Sequence, residues 1–272
     1  DVFQGANEQA SAISGDLAPD PVSSVDLFAG AIIPGLLLVV LYSLWVVVCS
    51  IIKPEIFPIP QNSKNSKINL NKIIKIVLPP ILLIIIVLGS ILFGIATPTE
   101  SASLGALGSF FIALKKKISR KVLDKVCDET LRISSMVFFI LIGASLFSLV
   151  FRGFGGDLIV EELLTKIPGG AFNSFLAVMV TIFFLGFFLD FFQIIFVMVP
   201  IVGPSLIAMG FDPIWLALMF AINLQTSFLT PPFGFALFYL RGVAPKKIKT
   251  SDIYQGVIPF IILQLILLII LF

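Results

Sequence analysis

The chain has 272 residues, of which 58% are hydrophobic and only 12% are charged, and its mean hydropathy is +1.10. This composition excludes an ordinary soluble globular domain and indicates that lipid surrounds most of the chain. The sequence contains no histidine, and neither Cys49 nor Cys127 has a partner at metal-ligand spacing, which weighs against a hydrolase or a metalloenzyme. We therefore expect no enzyme activity, no cofactor and no nucleic-acid partner.

The first 27 residues form a polar, acidic segment. It carries five acids between Asp1 and Asp26 and contains no lysine or arginine. A secretory signal would need a basic start and an apolar core, and neither is present. We expect residues 1–27 to be an extracytoplasmic segment that starts inside a loop of a longer protein.

Long apolar runs follow, each suited to crossing a hydrocarbon core of about 30 Å. These runs are Phe28–Ile52, Ile76–Ala96, Ile133–Phe151, Phe172–Leu189, Phe192–Met209, Ile214–Leu240 and Ile253–Phe272. A shorter run, Ser101–Leu114, comes after a break. The sequence therefore predicts an all-α polytopic membrane protein.

Basic residues indicate which loops face the cytoplasm, because short cytoplasmic loops retain lysine and arginine. Sixteen of the 18 basic residues lie in three stretches, Lys53–Lys75, Lys115–Arg132 and Arg241–Lys249. We place these three stretches inside. Both ends of the segment 172–209 then lie outside, together with the loop 152–170.

One of the basic stretches also has an apolar face. Lys117–Arg132 carries Ile118, Val122 and Val126 at intervals of four residues. This spacing predicts a helix that lies along the cytoplasmic surface, held by its apolar face and by anionic lipid. An ordinary solvated linker is the alternative.

After the N-terminal segment the chain divides into three parts. Residues 28–132 are predicted to hold scaffold transmembrane helices and the cytoplasmic amphipathic helix. Residues 133–252 form a transport-type repeat, with a hairpin at 172–209 and an unwound helix at 214–240. Residues 253–272 form a C-terminal transmembrane helix.

The hairpin prediction depends on the short junction between its two apolar halves. Gly186–Gln193 joins them and contains no recognisable aqueous loop. Either two full spans meet at a very tight turn, or a re-entrant hairpin ends within the membrane. We favour the hairpin: Asp190 at bilayer depth would cost on the order of 2.5–3.5 kcal/mol and should face protein or a water-filled cavity. Non-helical backbone is tolerated at that depth only in such a setting.

The most informative feature is a pair of prolines, Pro231 and Pro232, inside a polar interruption of an apolar run. A proline has no N–H to donate and clashes with the carbonyl four residues earlier. The pair should therefore free the carbonyls of Ser227 and Phe228 and unwind the helix. Freed carbonyls beside hydroxyls suit a weakly held alkali cation, as in the broken-helix sites of secondary transporters. A plain proline kink is the alternative.

A second break repeats this logic at Pro98, which should free the carbonyl of Gly94. Glu100 follows the proline and is either a proton or ion relay or an acid at a helix start. Small residues then recur every four positions, at Ser101, Gly105 and Ser109. Such spacing lets helix backbones approach closely in lipid, which predicts close packing of this helix.

Four motifs in this chain, in this order, resemble the large membrane subunit of tripartite ATP-independent periplasmic (TRAP) transporters. They are DLFAGAIIPGL at 26–36, GIATPTESA at 94–102, LGFFLD at 185–190, and NL followed by LTPPFG at 223–234. The resemblance runs from about residue 22 to residue 272. It implies the second of two inverted repeats with its scaffold helices, so we do not expect this chain to transport alone.

The resemblance also implies a function. It implies an elevator-type permease of the bacterial inner membrane that couples sodium entry to the uptake of an organic acid. A periplasmic binding protein would deliver the acid, and a small membrane subunit would accompany the permease. Backbone oxygens of the hairpin glycine and of the helix break would bind sodium, at Gly186, Ser227, Thr230 and Phe233. Many relatives have glycine in place of this chain's Ser227.

Polar residues near these breaks are candidates for lining the substrate path, namely Asp190, Gln193, Asn223 and Gln225. A sodium–carboxylate symporter or anion permease of related fold, working without a binding protein, is the nearest alternative. A membrane-embedded enzyme or an assembly scaffold is the alternative from another class. An enzyme should cluster acids or histidines near one membrane face, and a scaffold should lack broken helices.

Overall fold

The computed structural model describes residues 2–15, 21–56, 70–114, 119–231, 234–245 and 248–272. All of the regular secondary structure in these residues is helical, which confirms the all-α prediction. The α-helices in chain order are α1 (Val2–Ser14), α2 (Ser24–Ile52), α3 (Leu70–Leu92), α4 (Pro98–Leu114), α5 (Arg120–Gly153), α6 (Gly156–Thr165), α7 (Gly170–Leu185), α8 (Phe191–Ala208), α9 (Pro213–Leu229), α10 (Phe235–Val243) and α11 (Thr250–Leu271). A 3-10 turn covers Pro54–Ile56.

Within the described residues, five helices are long and apolar enough to cross a membrane. These are α2, α3 from Ile74 onward, α5, α8 and α11. Large apolar side chains such as Ile33, Ile85 and Phe139 are exposed along them, as expected for surfaces that meet lipid rather than water. The polytopic membrane fold predicted from the apolar runs is therefore confirmed.

The described chain separates into two compact units, and Ser43–Ile133 forms the smaller one. Its α3 and α4 pack as an antiparallel pair through small residues on α4. The Ser101 hydroxyl lies 2.8 Å from that of Ser90, and a β-carbon on Gly105 would lie 3.3 Å from Val87 Cγ2. The close packing predicted for this helix is therefore observed.

The turn between α3 and α4 ends one helix and starts the next. Gly94 adopts a positive φ of 66°, its N–H donates to Ile91 O, and the N–H of Ile95 donates to Ser90 O. This pattern is a Schellman motif, which satisfies the last carbonyls of α3. Pro98 is the first residue of α4, where a missing N–H costs nothing. At the predicted break, α3 therefore ends completely and a separate helix, α4, begins at Pro98.

The helix α5 corrects one sequence prediction. We expected a separate surface helix over Lys117–Arg132 and a span beginning at Ile133, but Arg120–Gly153 is one continuous helix. No proline or glycine occurs between positions 120 and 142, so nothing interrupts its hydrogen-bond ladder. Its 34 residues measure about 51 Å, which is longer than a membrane core, and this length carries the basic end beyond the hydrocarbon. Lys117 and Ile118 lie outside the described residues.

The larger unit comprises Asp1–Tyr42 and Ser134–Phe272, and α1, α7, α8 and α9 supply its main core. The helix α1, which the sequence analysis placed in a loop, packs along α8. Ala6 is 1% exposed, and a β-carbon on Gly203 of α8 would lie 3.1 Å from its methyl group. The ring of Phe3 packs against that of Phe220, with 6.0 Å between the ring centroids.

The helix α11 runs antiparallel to α9, and aromatic residues tie its end to the start of α9. The indole Nε1 of Trp215 donates to Leu271 O at 3.0 Å. The Trp215 ring also stacks on Phe211, with 5.6 Å between centroids and an interplanar angle of 8°. The hydrogen bond to Leu271 O fixes the end of α11 beside α9, the helix that precedes the double proline.

Candidate functional site

The hairpin consists of α7 and α8, joined by residues 186–190. At 1.5 Å per residue, the 16 residues of α7 measure about 24 Å, which is shorter than the hydrocarbon core. The partner helix α8 is long and apolar enough to cross a membrane. The choice between a re-entrant hairpin and two full spans, and the depth of the tip in the membrane, therefore stay predictions.

Polar groups at the tip hold the start of α8. Asp190 precedes the helix in an extended conformation, and its backbone N–H donates to Oε1 of Gln193 at 3.1 Å. Gln193 occupies the third helical position, from which a glutamine commonly satisfies the backbone at a helix start. Both side chains are half-buried. The two predicted substrate-path residues of the hairpin thus also shape its tip.

The predicted break in the helix 214–240 is present. The helix α9 ends at Leu229, Thr230 has an extended backbone (φ −89°, ψ 128°), and α10 begins at Phe235. Pro231 follows Thr230 directly, and the ring of a proline disfavours helical geometry at the residue before it. Pro232 and Phe233, predicted as a helix-breaking residue and a sodium ligand, lie outside the described residues.

One detail of the break differs from the prediction. The carbonyl of Ser227 was expected to lose its hydrogen bond, but it accepts one from the Thr230 N–H at 3.0 Å. The helix tightens by one residue at its end, which re-satisfies a carbonyl that Pro231 cannot reach. The Thr230 hydroxyl donates to Thr226 O at 2.8 Å. Because a carbonyl oxygen has two lone pairs, both oxygens retain capacity for a second partner.

Gly234 reveals where carbonyl oxygens of the break converge. A β-carbon built on Gly234 would lie 2.6 Å from Phe228 O and 3.0 Å from Thr230 O. Two oxygens therefore approach the same point, and only glycine fits there. The sequence analysis did not name Gly234 as a site residue, although it closes the Pro-Pro motif in which a close backbone approach was to be expected.

The structure brings the hairpin glycine and the break together. A β-carbon on Gly186 would lie 2.0 Å from Ser227 Oγ and 2.8 Å from Ser227 Cβ. Ser227 is fully buried, and its hydroxyl donates to Leu224 O at 2.9 Å. Gly186 and Ser227 are therefore neighbours, and Thr230 lies one turn further along the same helix end.

The two remaining substrate-path candidates have different environments. Asn223 is 3% exposed, and its Nδ2 donates to Met179 O at 2.8 Å, which ties α9 to α7. Gln225 is exposed and borders a cavity of about 520 Å³. Gln264 of α11 borders the same cavity and was missed by the sequence analysis. Its signal was an amide near the middle of an otherwise apolar run.

The chemistry of the break suits a hard cation held by neutral oxygens. Among the residues that the structure describes, no three His, Cys, Asp or Glu side chains group into a metal site. Carbonyl and hydroxyl oxygens are what the break offers. Glu100 belongs to the other unit, where its carboxylate accepts from the Thr97 N–H at 2.8 Å and closes a capping box at the start of α4.

Fold and site define a polytopic helical membrane protein in which a broken helix faces the tip of a helical hairpin, an arrangement typical of secondary transporters. A family model, the tripartite ATP-independent periplasmic transporter, DctM component, matches residues 15–272. The chain belongs to this family, which confirms the resemblance of its four motifs.

Curated relatives agree with this assignment. The C4-dicarboxylate TRAP transporter large permease protein of Vibrio cholerae is 27% identical over 271 residues, covering 92% of this chain and 58% of the relative. The sialic acid large permease protein of Vibrio cholerae is 27% identical and covers 96% and 63%, respectively. The ectoine large permease protein of Halomonas elongata is 26% identical and covers 87% and 54%.

These relatives are permease subunits and not enzymes, which confirms the expectation that the chain is not an enzyme. The chain spans about half the length of the curated relatives that it matches, with 58% of the Vibrio cholerae C4-dicarboxylate permease as an example. The segment matched here is therefore one portion of a large permease subunit.

Proposed function

We propose that this chain is part of the large permease subunit of a secondary transporter that takes up an organic acid across the bacterial inner membrane. A periplasmic substrate-binding protein delivers the acid, and a small membrane subunit accompanies the permease. The family match and the relatives named for C4-dicarboxylates, sialic acid and ectoine support this proposal.

Sodium is the coupling ion in this proposal, and its ligands are backbone oxygens at Gly186, Ser227, Thr230 and Phe233. The supporting observation is the position of Gly186, whose β-carbon would lie 2.0 Å from Ser227 Oγ. The hairpin tip and the helix break thus meet where carbonyls are already concentrated. Oxygens without net charge bind an alkali cation weakly enough to release it on each cycle.

The transport movement is proposed to be of the elevator type. Tight packing supports it, because an interdigitated core moves as one body. The residues Phe220, Leu216, Val199 and Leu206 of this core have no exposed surface. Hairpin and broken helix share this core and would therefore travel together with their ligands.

The test is uptake by the full-length permease reconstituted with its small subunit and a binding protein, using radiolabelled C4-dicarboxylates, sialic acid and ectoine. An inward sodium gradient should drive uptake of at least one of these compounds, and replacing sodium by potassium should abolish it. Uptake without a binding protein would instead support a symporter of related fold. Uptake that is unchanged when sodium is replaced by potassium would overturn the proposed sodium coupling.

Thr230→Val and Pro231→Ala probe the break itself. Each should raise the half-saturating sodium concentration by about tenfold, which corresponds to about 1.4 kcal/mol. Pro231→Ala restores an N–H that can occupy Ser227 O, and Thr230→Val removes the hydroxyl that donates to Thr226 O and orders the helix end. Thr181→Val is a matched control, because the Thr181 hydroxyl also donates to the carbonyl four residues earlier, at 2.8 Å, but is exposed on α7. Equal sodium responses in all three variants would contradict the proposed site.

A further inference from the structure

Gln264 is a buried amide whose oxygen is unpaired. It lies near the middle of α11, is 1% exposed, and its Oε1 has no hydrogen-bond partner among the described residues. An unpaired amide oxygen inside an apolar helix destabilises a fold, and polar groups persist at such positions where they have a function. The Gln264 oxygen therefore needs a hydrogen-bond donor that the described residues do not supply.

The cavity beside Gln264 has the volume of a small-molecule site. Its volume of about 520 Å³ lies within the range of roughly 300–1,000 Å³ typical of ligand pockets. The lining combines a few polar groups, from Tyr42, Gln225 and Gln264, with apolar residues such as Phe260. No charged side chain is among its described lining residues. The cavity therefore suits an uncharged molecular part that carries a hydrogen-bonding group, and not a carboxylate.

Tyr42 fixes the surroundings of the amide. Its side chain lines the same cavity as Gln264, and its ring packs edge-on against Phe260 with 5.0 Å between centroids. The terminal torsion of a glutamine is broad, so the amide can turn its oxygen toward the cavity without movement of the helix. A ligand hydroxyl would then supply the missing donor.

The cavity is continuous with the helix break. Phe228 and Leu229, the last two residues of α9, line it together with Gln225. A molecule in this cavity would therefore touch the residues that immediately precede Thr230.

We propose that this cavity receives the uncharged, hydroxyl-bearing part of the transported acid and that the Gln264 amide selects for that hydroxyl. The proposal rests on the proposed transport function and adds a specificity-determining residue to it. The acid's carboxylate would lie outside this cavity, since the lining offers it no cation.

The experiment compares acids that differ by one hydroxyl, namely succinate with malate, propionate with lactate, and butanoate with 3-hydroxybutanoate. Binding to the purified full-length permease with its small subunit, in the absence of the binding protein, is measured by calorimetry. The wild type should bind the hydroxylated member of at least one pair about tenfold more tightly, the effect of one neutral hydrogen bond. Gln264→Leu should reduce this ratio to about one while leaving the affinity for the other member unchanged.

Gln255→Leu is the matched control, because Gln255 lies on the same helix and is exposed. It should keep the tenfold ratio. A ratio that survives in Gln264→Leu, or a wild type that shows no hydroxyl preference in any pair, would overturn the proposal. Uptake that does not depend on sodium would overturn the proposed sodium coupling but not the proposed role of Gln264. The ratio of the two binding affinities is measured without a sodium gradient and therefore does not depend on coupling.

A second measurement covers the case in which Gln264→Leu does not fold. Gln225→Cys, in a chain whose native cysteines are replaced by serine, places a maleimide-reactive group at the rim of the cavity. The hydroxylated acid with the highest affinity should slow the labelling of this cysteine at least about threefold, since a bound molecule would cover it. An unchanged labelling rate at saturating ligand would show that the acid binds elsewhere.

Discussion

Gly186 and Ser227 are in such close contact that there is no room for a side chain on Gly186. A β-carbon on this glycine would lie 2.0 Å from the Ser227 hydroxyl oxygen. The contact joins the end of α7 to the last turn of α9. It explains why a glycine is needed at the hairpin tip although its own φ is an ordinary −64°. The requirement comes from the neighbour and not from the backbone conformation.

Gly186→Ala should therefore destabilise the hairpin by about 1–3 kcal/mol, the usual cost of overpacking, and reduce uptake strongly. Ser227→Gly should rescue it, because removal of the serine side chain eliminates both of the contacts at 2.0 and 2.8 Å. Thermal unfolding of the four members of this double-mutant cycle measures the coupling. Strictly additive effects would contradict the contact.

Asn223 and Gln225 should respond in opposite ways, although both were predicted to line the substrate path. Asn223→Leu removes the buried hydrogen bond that ties α9 to α7, so the free energy of unfolding should fall by about 0.5–1.5 kcal/mol. Gln225→Leu removes an exposed amide, so stability should change by less than about 0.5 kcal/mol. Thermal unfolding in detergent distinguishes them, and equal losses would contradict this division.

The pair α3–α4 should be sensitive to the size of a third small residue, Gly108. A β-carbon there would lie 2.2 Å from Leu83 Cδ1. Gly108→Ala should lower the unfolding temperature, and Leu83→Ala in the same chain should restore part of the loss. Gly143→Ala is the control, since its β-carbon would meet nothing within 4 Å. Because alanine favours a helix more than glycine does, the control should keep or raise the unfolding temperature, and the same loss in the control would contradict the packing argument.

Topology can be tested by labelling cysteines in intact cells. In a full-length chain without Cys49 and Cys127, a cysteine at Asp157 should react with an impermeant reagent added outside. A cysteine at Lys249 should react only after the membrane is permeabilised, because the basic stretch that contains Lys249 is expected to remain inside. The reverse pattern would refute the orientation.

The sequence predicts the breaks in this fold better than it predicts the contacts. Pro231 interrupts a helix and Pro98 starts one for a local reason, the missing N–H, and local reasons can be read from sequence. The helix α1 was missed because its small and polar residues resemble a loop, and only the groove along α8 makes Ala6 a core residue. The unbroken α5 was missed because a change from basic to apolar composition does not interrupt a helix.

The candidate site was also predictable only in part. Residue types that suit a cation were visible in the Pro-Pro motif. The structure places Gly186 beside Ser227, and their role as sodium ligands stays a prediction. The hydrogen bonds were not visible. The bond of Asn223 crosses 44 positions of sequence, and the position of Gln264 beside Gln225 depends on how α11 packs against α9. Such relationships are properties of the packed structure.

The hydroxyl groups around the break have a consequence for a carrier that must also return without its cargo. Thr226, Ser227 and Thr230 each donate to a carbonyl three or four positions earlier, at 2.8, 2.9 and 2.8 Å. The protein's own hydroxyl groups therefore hold the carbonyls of the helix end in position. In the proposed site, an arriving cation would find oxygens already in place, and a departing cation would leave no donor unsatisfied. The helix end would therefore need little rearrangement between the loaded and the empty state of the proposed carrier.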